Sequence, residues 1–96
     1  MERALVLWKN DTSWEIARVT ASGDLVITGE DTEFLGEEGR NYEYSITVNE
    51  ADVASLVAAL GGNVDTDPLD LLKRNPESAS RAWLEAHGVP VHFWCY

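Results

Sequence analysis

The chain has a single cysteine, Cys95, in 96 residues. That excludes an internal disulfide and makes a reducing compartment, the cytoplasm, the expected location. Proline is scarce, with three residues, and there is no glycine-rich or repetitive tract, so collagen-like and low-complexity classes do not fit. No run approaches the roughly 18 apolar residues of a membrane-spanning helix. The opening stretch MERALVLWKND has neither the long apolar core nor the small-residue cleavage site of a secretory signal.

Positive charge is also in short supply. Seven Lys and Arg stand against seventeen Asp and Glu, a net charge of −10. The deficit is concentrated. Residues 19–72 hold twelve acids and one base, Arg40, a local charge of −11, whereas the two ends together are close to neutral. Phosphate backbones and anionic bilayers are held by Lys and Arg, so neither nucleic acid nor a membrane surface is an expected partner. A one-signed segment favours a basic protein partner, because complementary fields accelerate encounter and fix orientation.

Signatures of catalysis are missing too. There is no Walker loop, nucleophile elbow or dinucleotide-binding glycine run, and Gly61-Gly62 is not followed by the lysine or helix start that a phosphate site needs. The histidines and cysteine are His87, His92 and Cys95, without zinc-type spacing. Asp65, Asp67 and Asp70 fail the calcium-loop pattern, with Pro68 and Leu69 between them and no glycine. A Cys95–His92 pair three residues apart on a strand falls on opposite faces. The expectation is therefore no enzyme, no cofactor and no metal.

What is present is a run of strand patterns followed by helix patterns. Ala4–Trp8 is a short apolar strand, and residues 14–28 read as a hairpin turning at Ser22-Gly23-Asp24. Tyr42, Tyr44, Ile46 and Val48 alternate with Glu43, Ser45 and Thr47, which defines a strand with one buried face. Asn49 is placed to cap a helix whose stripe is Val53, Leu56, Val57 and Leu60, ended by Gly61-Gly62. Asp67-Pro68 starts a second helix with Leu69, Leu71 and Leu72 as its buried side. Asn75-Pro76 predicts a third, from Pro76 to His87, with Ala79, Ala82, Trp83 and Ala86 inward and Gly88 as its stop. Val89–Tyr96 is a last strand, with Val91, Phe93 and Cys95 opposing His92, Trp94 and Tyr96. The order ββββαααβ predicts a single α+β domain over residues 1–96, an antiparallel sheet of about five strands with one face covered by helices. Nothing in the pattern says which sheet edge the last strand joins.

The segments YEYSITVNEADVASLVAALGG and WLEAHGVPVHFW, residues 42–62 and 83–94, make up about a third of the chain. On these segments the chain resembles a group of small acidic bacterial proteins of unassigned function, and in size, charge and architecture it is similar to immunity proteins. That resemblance implies neutralisation of a cognate toxin by binding and no catalysis. The acids Glu30, Asp31, Glu33, Glu37 and Glu38, read as an exposed loop over Glu30–Arg40, are the expected partner-binding surface, with Trp94 and Tyr96 as aromatic anchors on the open sheet face. Two alternatives are a homodimer through that open face and a small-molecule site between sheet and helices near His92.

Overall fold

The computed structural model describes residues 3–11, 13–31 and 42–95. Four strands come first: β1 (Arg3–Lys9), β2 (Ser13–Val19), β3 (Leu25–Asp31) and β4 (Tyr42–Val48). Three helices follow, α1 (Glu50–Ala59), α2 (Pro68–Arg74) and α3 (Arg81–Ala86), and β5 (His92–Cys95) closes the order. The fold is α+β, as the element order implied. The strands lie in chain order, β1-β2-β3-β4-β5, each antiparallel to its neighbour. The last strand takes the free edge of β4, pairing Phe93 with Ile46 and Trp94 with Ser45.

Period-two alternation decides which face is dry. Ala17, Leu25, Ile27, Ile46 and Val48 point to one side and are buried against Leu56, Leu69, Leu72, Ala79, Leu84 and Val89. Removing these side chains from water is the main stabilising term. The other side carries Val6, Ile16, Thr28, Ser45 and Trp94 along one cross-strand row, opposite the face on which the described helices pack.

Local chemistry sets the helix ends. Asp67 accepts a hydrogen bond from the Leu69 amide at 3.0 Å, with Pro68 at the first helical position, as expected for α2. Gly61, φ 81°, ends α1 in the left-handed conformation, and Gly88, φ 74°, does the same after α3.

Two expectations fail here. Asn49 occupies the cap position of α1, but its side chain makes no capping bond. Asp24, from the β2–β3 turn, accepts from the Glu50 backbone amide at 2.8 Å instead, while the Asn49 side-chain Nδ2 donates to His92 Nε2 at 3.3 Å. The third helix is broken. Pro76–Ser78 forms a single 3₁₀ turn, and Ser80, in extended conformation, starts α3 afresh by accepting from the Trp83 amide at 3.1 Å. This restart changes which residues point inward: Ala79 and Leu84 are buried, Trp83 is half-buried, and Ala82 and Ala86 are exposed.

Candidate functional site

The residues expected to meet a partner divide between described and undescribed positions. Glu33, Glu37, Glu38 and Tyr96 lie outside the described residues. Glu30 and Asp31 belong to β3 instead of a loop, because the β3–β4 ladder continues to the Asp31–Tyr42 pair. Glu30 stands directly opposite Glu43 on the open face, with Trp14 opposite it on the other side. Trp94 is 54% exposed on that face. Other described acids gather at the far end of the strands, where Asp24, Glu50 and Asp52 surround the start of α1. Negative charge therefore occupies both ends of the sheet.

A site that the alternation pattern hides lies on the covered face. Glu15, in β2, is 7% exposed and shares its face with Ala17. Among the described residues no cation pairs with it. Instead it is held by neutral donors. The Tyr44 hydroxyl, from β4, donates to Glu15 Oε2, and the Trp8 indole also bonds to the carboxylate.

Each donor arrives through a local irregularity. Strict alternation would put Trp8 on the open face with Val6. A shift of register between Val6 and Trp8 pairs Trp8 with Glu15 and brings its ring to the covered side. Tyr44 must cross β3 to reach β2, and it does so over Gly29, the residue between them in the ladder. A Cβ on Gly29 would lie 2.3 Å from the Tyr44 ring and hydroxyl, so only glycine leaves room for the crossing.

Burial pushes the Glu15 carboxyl above its ordinary value, and the hydrogen bonds from Tyr44 and Trp8 only partly offset this. The carboxyl lines a cleft of about 200 Å³ between sheet and helices, together with Tyr44, Ile46, Ala79, Ser80, Arg81 and Phe93. Arg81 packs over the Phe93 ring at 4.7 Å and pairs with Glu85 at 2.7 Å. A shifted titratable group in a concave site is a recognised mark of function.

A larger cavity, about 410 Å³, lies between α1 and the segment leading to α2, lined by Val53, Val57, Val64 and Pro68. Its walls are mostly apolar, and among the described residues Glu50 is the only ionisable group along them. His92, expected near a ligand, is exposed on the open sheet face opposite Thr47 and lines neither cavity. The reason is parity: Phe93 faces the helices, so His92 must face away. Among the described residues no group of three or more His, Cys, Asp or Glu is arranged to hold a metal, and no helix is long and apolar enough to cross a membrane.

No single residue announced this cleft. A glutamate opposite a glycine, with tyrosine beyond it, was the available signal, but it required the strand register. Compared with known proteins, the chain matches no family model, no curated protein and no solved structure.

Proposed function

We propose that this chain is a non-enzymatic cytoplasmic binding protein that docks on a basic protein partner, in the manner of an immunity or inhibitor protein neutralising a toxin. The observation that carries this reading is how little of the acidic middle is neutralised internally. The bases lie mainly at the two ends of the chain. Among the described residues the ion pairs are Arg3 with Asp67 and Arg81 with Glu85, and only Asp67 belongs to residues 19–72. The Glu30–Glu43 pair adds support. Like charges directly opposite on neighbouring strands cost stability, and a cationic partner would turn that cost into affinity. This pair flanks the segment carrying Glu33, Glu37 and Glu38, with Trp14 and Trp94 on the same face.

The test is partner capture at low salt, followed by association kinetics of the captured protein. Reversing Glu30, Glu43, Glu33, Glu37 and Glu38 to lysine should lower the association rate by at least tenfold and flatten its salt dependence. An unchanged rate would overturn the reading.

A second reading rests on the open face itself. Val6 and Trp94, on the two edge strands, are 55% and 54% exposed in one cross-strand row with Ile16 between them. A two-fold axis along the strands would seat each Val6 against the other copy's Trp94. Sedimentation should then reveal a dimer that Trp94→Lys dissociates. A wild-type monomer at high concentration would remove this reading.

A further inference from the structure

We propose that the cleft above Glu15 is a binding site for an alkylammonium group, an aliphatic chain ending in a primary ammonium. Three observations converge on it. The first is the carboxyl of Glu15, a residue only 7% exposed, held by neutral donors with no cation bonded to it among the described residues. A carboxylate offers about four acceptor positions, and Tyr44 and Trp8 occupy two. A buried anion held only by neutral groups is costly until a positive charge joins it. The second is the wall composition: Ile46, Ala79 and Phe93 would contact methylenes, and the Phe93 ring already packs against one cation, Arg81. The third is construction. A register shift in β1, a glycine at 29 and a tyrosine reaching across a strand are all needed to hold this carboxyl in place.

Arg81 is the intramolecular competitor. Its guanidinium lines the same cleft, drawn toward Glu85 on its own helix. A guest cation must therefore enter past a positive charge, and removing that charge should favour it. The titratable and charged groups lining the cleft with Glu15 are Tyr44 from β4 and Arg81 from α3. The site lies on the covered face, away from Glu30 and Glu43, so it stands or falls separately from the acidic-surface reading.

The experiment is a titration of the full chain with n-butylammonium, following the Trp8 indole N–H resonance, with n-butanol and n-butyrate as matched controls. Saturable shifts with butylammonium alone are expected. Glu15→Gln should weaken binding about tenfold or more, the scale of one charge-assisted hydrogen bond. Arg81→Gln should tighten it several-fold. In the wild type, binding should weaken as pH falls and Glu15 takes up its proton, an arm that holds even where the Gln variant folds poorly. Repeating the titration with Nα-acetyl-lysine methylamide separates the sources. Equal or tighter binding points to a lysine side chain, and rejection to a free amine. No saturable shift, equal shifts with n-butanol, or binding indifferent to both Glu15→Gln and pH would overturn the proposal.

Discussion

Tyr44 hydrogen-bonds Glu15 from two strands away, its ring lying across the bare backbone of Gly29. Side chains two strands apart do not ordinarily meet, so this contact exists only because the strand between offers no Cβ.

Gly29→Ala is therefore expected to displace Tyr44 and uncouple it from Glu15. The loss should be about 1–3 kcal/mol, the range for forcing extra volume into a packed site. Urea denaturation measures it. Tyr44→Phe, which keeps the ring and removes the hydroxyl, should make a following Gly29→Ala no less disruptive, because the clash is with the ring as well as the hydroxyl.

Glu15 should give stability a defined pH dependence. Burial raises its folded-state value above the unfolded one, so the folded chain binds the proton more tightly. Its contribution is most favourable below the unfolded value and is lost as pH rises through the folded value. Glu15→Gln removes this dependence. The gap between wild type and variant should therefore move in the variant's favour as pH rises from about 4 to neutrality, read as paired melting curves across that range.

The restart of α3 at Ser80 predicts a specific cost. Ser80→Ala removes the oxygen that accepts from the Trp83 amide and should destabilise the chain by about 1 kcal/mol. Leu84→Ala, at a fully buried position, should cost about 2–5 kcal/mol, whereas Ala82→Ser on the exposed side should be close to neutral. An uninterrupted helix from Pro76 would place residue 82 on the buried side and reverse that order.

Replacing Glu43 with lysine opposite Glu30 turns a repulsive cross-strand pair into an attractive one. Stability should rise by a few tenths to about 1 kcal/mol, less at high salt, as thermal melts at two ionic strengths would show. If the acidic face serves a partner, the same change should slow association, so that a more stable protein binds less well.

The fold was legible where pattern and chemistry agree. The alternation Tyr44, Ile46, Val48 and the Asp67-Pro68 helix start both appear where the residues placed them. Sequence reading failed where a distant residue supplies the local chemistry. Asn49 looked like the cap of α1, yet Asp24 does the work, and only the β2–β3 turn folding back brings it there. Asn75-Pro76 carried a genuine helix signal, but Ser80 offered a second cap four residues after Pro76 and took over. The Glu15 cleft was out of reach for the same reason. Its members are spread from Trp8 to Phe93 and are united by register alone.

The order of strands in the sheet also orders its assembly. β2, β3 and β4 can each zip onto the strand before them as the chain leaves the ribosome, with none of the three helices between partners and less loop entropy to lose than β5. β5 cannot, because the three helices separate it from β4. Until β5 pairs with it, β4 presents an open row of backbone groups, the kind of template on which foreign strands add. The four residues of β5 thus act as a seal set in place after the other strands have paired, and Phe93, which they carry, completes the wall of the Glu15 cleft in the same step.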